Sequence, residues 1–258
     1  MRIVSLLGAA VLLAGCAGPS PTPAPAPAVE DLAARQPAAA KVPEPDDTPS
    51  EPAKPQSPLL PSAFFGDGAE AFIAWRCTPA QDLIAAFPDD YLRLWSGQGH
   101  YRLERAVVAS GVRYVKDDLT FWNKGEKAMV ESDNGRLECQ QDIRRETLTR
   151  ADYPQSIFHA LGNEPGWTLD LDRASPQMTL VTDYGEQRRT LDYHLVNLNN
   201  GQQASVTLRS NDAAEPVTVR LEARACFDAM SGQPYPVRVS VETPERTLRG
   251  CGQGIERQ

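Results

Sequence analysis

Thirteen of the chain's 22 prolines crowd between Pro19 and Pro61, and that crowding decides which part of it can fold. Proline lacks a backbone N–H and holds φ fixed, so it cannot recur inside a helix or a central strand. From Ala17 to Pro61 the rest is mostly alanine and short acidic stretches, with P-T-P-A-P-A-P near its start. Little apolar surface is present there to offset the entropy of ordering. The stretch reads as a disordered Pro/Ala-rich tether of polyproline II character, either a spacer or a linker with no length requirement. About 200 residues remain for packing, enough for one large or two small domains.

The first residues read as an address. Arg2 supplies positive charge, and Ile3 to Leu13 form an apolar run of eleven residues, which suits a secretory signal and is too short to span a bilayer. The run ends in Leu13-Ala14-Gly15-Cys16, which resembles the bacterial lipobox, where cleavage before the cysteine precedes its lipidation. A plain signal peptide with a chance cysteine is the alternative. On the lipobox reading residues 1–15 are a lipoprotein signal peptide, Cys16 carries palmitate-like acyl chains, and residues 16–61 are the tether. Ala17 in place of Asp implies, by the same resemblance, a periplasm-facing protein anchored in the outer membrane.

Charge and cysteines narrow the folded part. The formal charge is −8, spread evenly, and a protein that neutralises many phosphates shows a basic face instead, so nucleic acid is not an expected partner. Beyond Cys16 four cysteines remain: Cys77, Cys139, Cys226 and Cys251. An even number in an exported chain reads as disulfides, and four cysteines permit three pairings. Sequence order and the division into two β-rich regions favour Cys77–Cys139 with Cys226–Cys251. A zinc site would need C-x-x-C pairs or neighbouring histidines, and the sequence has neither, so no metal and no cofactor is expected.

Between Phe64 and about Asp142, Tyr101 and Leu103, Ala106 and Val108, Leu119 and Phe121, and Ala128 and Val130 stand at period two. G-Q-G at 97–99, K-G at 124–125 and N-G at 134–135 punctuate them as hairpin turns. One segment, Gln81 to Phe87, reads as helix-like. In the second region the strand candidates are Trp167–Leu171, Met178–Thr182, Leu191–Leu198, Ala204–Arg209, Val217–Ala223 and Val237–Val241. N-N-G at 199–201 and S-G at 231–232 mark turns between them. The expected fold is all-β: two small antiparallel barrel- or sandwich-like domains at 62–142 and 158–258, joined by a polar linker at 143–157.

Residues 108–114 read V-A-S-G-V-R-Y, and 117–128 read D-D-L-T-F-W-N-K-G-E-K-A. With Trp75-Arg76-Cys77 before them and Cys139 after, they resemble the membrane-bound C-type lysozyme inhibitor family, whose members carry S-G-A-R-Y followed by F-W-x-K-G-D-E-A. The likeness covers about Trp75 to Gln140. It implies an eight-stranded barrel closed by a disulfide between first and last strands. It also implies inhibition of c-type lysozyme by a loop that inserts a serine and a lysine between the two catalytic acids. Those positions are Ser110 and Lys124 here, with Gly111, Tyr114, Trp122 and Gly125 around them. Three of the chain's five lysines, Lys116, Lys124 and Lys127, lie in this segment. Departures are Val112 for the family's alanine, and Glu126-Lys127 for Asp-Glu.

Each residue also has an ordinary reading. Ser110-Gly111 and Lys124-Gly125 are common turn pairs, Tyr114 and Trp122 are core formers, and Arg113 could pair with Asp117 or Asp118 to stiffen the loop. F-H-A-L-G-N-E-P-G-W at 158–167, with C-F-D-A-M-S-G-Q-P-Y-P and L-R-G-C-G later, is similar to a bacterial lipoprotein domain of no established activity. Glu164 and Asp228 there suit a small binding site or plain turn chemistry. His159 and His194 lack ligand-like spacing, and no hydrolase or phosphate-loop motif is present. The expected function is therefore binding and not catalysis: an envelope lipoprotein that inhibits c-type lysozyme. A structural lipoprotein acting through its C-terminal domain is the alternative. A cell-wall hydrolase would need a carboxylate pair that no spacing singles out.

Overall fold

Short apolar runs separated by turn residues pair here into sixteen antiparallel strands, which close into two eight-stranded barrels. The computed structural model describes residues 59–257. The signal segment, Cys16 and nearly all of the tether lie outside the described residues. Barrel 1 comprises β1 (Ala71–Thr78), β2 (Leu83–Ala86), β3 (Tyr91–Trp95), β4 (His100–Ala106), β5 (Val112–Lys116), β6 (Leu119–Lys124), β7 (Lys127–Ser132) and β8 (Gly135–Glu146). Barrel 2 comprises β9 (Ser156–Asn163), β10 (Gly166–Asp172), β11 (Gln177–Thr182), β12 (Gln187–Asn199), β13 (Ser205–Ser210), β14 (Thr218–Phe227), β15 (Pro234–Glu242) and β16 (Thr247–Gly254). Closure of each barrel removes open sheet edges. In barrel 1, β1 pairs with β8, placing Cys77 opposite Cys139, and the two form a disulfide. In barrel 2, β16 pairs with β9, and Cys226–Cys251 ties β14 to β16.

Alternation gives barrel 1 its interior. Ile73, Trp75, Leu83, Leu92, Leu94, Leu103, Phe121 and Val130 point inward with Tyr114, and Trp75 meets Phe121 edge-on at 5.4 Å between centroids. The first three strands break that alternation. A-F-I-A-W in β1, L-I-A-A in β2 and L-R-L-W in β3 are buried on both faces. Two-sided burial reads as a continuous apolar run, and here its cause is barrel 2. Phe72, Ile84, Ala86 and Trp95 point outward into the apolar cluster that also holds Phe158, Val237 and Val239.

Polar groups close the same interface. Arg145 of β8 is buried, donates to the Pro234 carbonyl at 2.8 Å and to Gln253 Oε1 at 2.6 Å, and lies over the rings of Phe72 and Tyr235. Burial lowers its guanidinium to about 10. The His100 N–H donates to the Gln202 carbonyl at 2.8 Å, and the Ala225 N–H to that of Ser96 at 2.9 Å. At the N-terminal end, buried Glu256 accepts from the backbone of Gly66, Asp67 and Gly68 at 2.5, 3.0 and 3.3 Å. Burial raises its carboxyl in spite of those bonds.

Two sequence expectations need correction. Gln81 to Phe87 is not helical: its core is strand β2, a four-residue run whose double burial hides the period that separates strand from helix. The polar join expected at 143–157 is shorter, because β8 continues through Glu146 and β9 begins at Ser156. Arg145, polar in sequence, is an interior residue because its donors are satisfied across the interface.

Candidate functional site

The residues singled out in sequence belong to two neighbouring connections at one end of barrel 1. The first links β4 to β5 through Val107–Gly111, and the second is the two-residue turn Gly125-Glu126 between β6 and β7. Their nearness follows from register. Val112 pairs with Asn123, so the residues preceding β5 meet the residues ending β6. Gly111 has φ of +70°, and a Cβ there would stand 2.5 Å from the Asn123 carbonyl oxygen and 3.1 Å from Lys124 Cγ. Only glycine fits so close an approach at that angle. Gly125, at φ of +71°, meets nothing within 4 Å, and its requirement is the turn itself.

Trp122 joins the two connections. Its indole N–H donates to the Ser110 carbonyl at 3.0 Å, while Lys124 Nζ lies 3.6 Å from the centre of its ring. The ring thus fixes the backbone of one residue and holds the ammonium of the other by a cation–π contact. The Ser110 and Lys124 side chains are exposed, and among the described residues neither has an ion pair. Buried Arg113 Nε and Asn123 Oδ1 at this end lack partners, a cost located beside the loop.

Of the six residues, Ser110, Gly111, Trp122, Lys124 and Gly125 come together. Tyr114 faces the interior instead, 6 % exposed, with its ring 5.8 Å from that of Phe87. Burial raises its phenol, which accordingly stays neutral. Arg113 pairs with neither Asp117 nor Asp118; it reaches Thr120 Oγ1 at 3.5 Å, while Asp117 holds Lys116 and Asp118 accepts from the Asp133 N–H.

Two features were missed in sequence. Val108 stands at period two with Ala106 and reads as strand, yet β4 ends at Ala106, and Val107 stands fully exposed on the loop. The second is an outer cleft of about 480 Å3 beside Lys124, floored by Trp122 and Met129 and edged by Lys127, Arg76 and Arg136. The K-G-E-K string carried its signal, since a two-residue turn sets the flanking lysines opposite each other.

Barrel 2 offers turn chemistry at its candidates. Asp228 accepts from the Ser231 N–H and hydroxyl and from Asn163 Nδ2. Burial acts to raise its carboxyl, but these bonds outweigh it and hold it below the usual value. His159 Nδ1 is 3.0 Å from Asp170, and His194 Nδ1 is 2.8 Å from Asn211. Among the described residues no three histidine, cysteine or acidic groups are placed to hold a metal.

Residues 75–138 match the family described as membrane-bound lysozyme-inhibitor of c-type lysozyme. The matched span runs from Trp75 in β1 to Glu138 in β8 and contains both connections. It supports, in general terms, an envelope-associated lysozyme inhibitor. No curated protein matches the chain.

Proposed function

We propose, from the family match over residues 75–138, that this chain is an envelope lipoprotein that inhibits c-type lysozyme by placing Ser110 and Lys124 in its catalytic cleft. The observation that carries the reading is the Trp122 bridge, which joins the backbone of Ser110 and the ammonium of Lys124 at one ring while both side chains stay exposed. Lysozyme works with two carboxyl groups held in different states, one a neutral acid and one ionised. A serine hydroxyl can exchange hydrogen bonds with the neutral acid. A lysine ammonium gives the ionised partner a charge-assisted bond, stronger once water is excluded. The acidic body, at −8, attracts a basic enzyme, so association should weaken with salt.

Lysozyme turnover of labelled cell wall, titrated with the full chain, tests the reading. Ser110→Ala and Lys124→Ala should each weaken inhibition about tenfold or more, with unchanged circular dichroism. Full potency in the double variant would sink it. The anchor is a separate claim, supported by Leu13-Ala14-Gly15-Cys16 and the family's membrane association. Radiolabelled palmitate should enter the wild type and not Cys16→Ser, and the labelled chain should sediment with outer membrane.

A further inference from the structure

Lys124 and Lys127 are direct cross-strand partners on either side of the Gly125-Glu126 turn. Directly opposed residues on antiparallel strands project to the same face, and like charges so placed destabilise the pair. The outward row continues across the wall, from Lys127 to Gln140 and from Gln140 to Arg76. The cleft of about 480 Å3 lies along this row.

Its other charges are spoken for. Arg76 pairs with Asp142 at 2.6 Å, and Arg136 with Glu131 and Glu138 at 3.8 and 3.4 Å. Glu138, the one carboxylate in the cleft, is therefore held by Arg136. Lys124 is held over the Trp122 ring. Among the described residues Lys127 has no ion pair and no side-chain hydrogen bond, and it is exposed. An unpaired lysine set against a second lysine, in a chain with only five, is an arrangement that local stability does not favour.

We propose that Lys127 receives a second carboxylate of the bound lysozyme, outside the catalytic pair, in the cleft that adjoins Lys124, and so helps decide which lysozymes this chain inhibits. The inference rests on the proposed function. The occupant is a carboxylate carried by the enzyme and not an anion free in solution. A body of charge −8 repels free anions at long range, whereas an acidic side chain on a basic enzyme is brought in with the enzyme's own attraction. The cleft is also continuous with the proposed inhibitory contact, because Lys124 and Trp122 line it.

The test is the inhibition constant of the full chain against a c-type lysozyme at several salt concentrations, with the melting temperature of each variant. Lys127→Gln should weaken inhibition about threefold, with a salt dependence shallower than that of Lys116→Gln, which has the same net charge, and Lys127→Glu should weaken it about tenfold. Both should melt at or above the wild-type temperature, since the opposed like charges are relieved. Lys116→Gln is the control: it removes the same charge at the far end of the β5–β6 hairpin, where Lys116 pairs with Asp117. Falling affinity with undiminished stability supports a contact role. Inhibition by Lys127→Gln and Lys127→Glu equal to that of Lys116→Gln, while Ser110→Ala and Lys124→Ala fail, overturns this inference alone. A wild type that inhibits no lysozyme overturns it together with the proposed function.

Discussion

The Trp122 indole N–H reaches back twelve residues to the carbonyl of Ser110, at 3.0 Å. Through that bond a residue of β6 sets the position of a loop that precedes β5.

Trp122→Phe keeps a smaller ring beneath Lys124 and removes the donor. A single hydrogen bond of this kind contributes about 1 kcal/mol. Inhibition should weaken about fivefold if the loop must be held for binding, with little loss of melting temperature. Hydrogen exchange at Val107–Gly111 should quicken in parallel.

The two glycines should separate by environment. Both sit near φ of +70°, where an alanine costs about 1–2 kcal/mol. Gly125→Ala has open space and should show only that loss. Gly111→Ala adds a Cβ 2.5 Å from the Asn123 carbonyl, so the loop must shift away from Lys124. Inhibition assays with urea melts should find Gly111→Ala the more damaging in both.

His100 makes the fold sensitive to mild acid. Burial, with Arg93 Nη1 3.4 Å from its Nε2, lowers its pKa to about 3, against a smaller opposing pull from Asp67. The folded protein keeps it neutral, while the unfolded chain protonates it near pH 6.5. Its contribution is therefore complete above pH 6.5 and is lost as pH falls toward 3. Between pH 7.5 and 5 the loss is about 2 kcal/mol. Urea midpoints of wild type and His100→Gln at both values check this, and the variant should lack the dependence. Comparing the two proteins cancels Glu256, whose raised carboxyl acts in the opposite sense, destabilising as pH rises through its folded pKa.

Arg145 tests the joint between barrels. Arg145→Ala leaves the Gln253 side-chain oxygen and the Pro234 carbonyl without their donor, in a buried setting. A loss of about 3 kcal/mol is expected by chemical denaturation.

Much of this was readable beforehand. Period-two runs such as Tyr101 and Leu103, and turns such as Asn199-Asn200-Gly201, located strands and their punctuation because one-faced burial writes a clear alternation. The resemblance singled out Ser110 and Lys124, and the register of β5 on β6 brings the two connections that carry them together. What escaped shares one cause, contacts made by the other barrel or by backbone. β2 lost its alternation to Phe158 and its neighbours. β9 was not among the strand candidates. Its partner β16 carries Gly250 and Gly252 in place of alternating apolar residues, and Gly252 is there because the His159 carbonyl passes 2.8 Å from where its Cβ would be. Arg145 looked like linker until Gln253 supplied its acceptor.

The double burial of β1, β2 and β3 has one more consequence. The segment recognisable at 75–138 is not a detachable part. Cut away from barrel 2, it would present Ile84, Ala86 and Trp95 to water as a sticky flank, and two-barrel molecules of this build should melt in a single transition. The second barrel covers the outer face of β1, β2 and β3, and a change in either barrel will be felt as a change in the solubility of both.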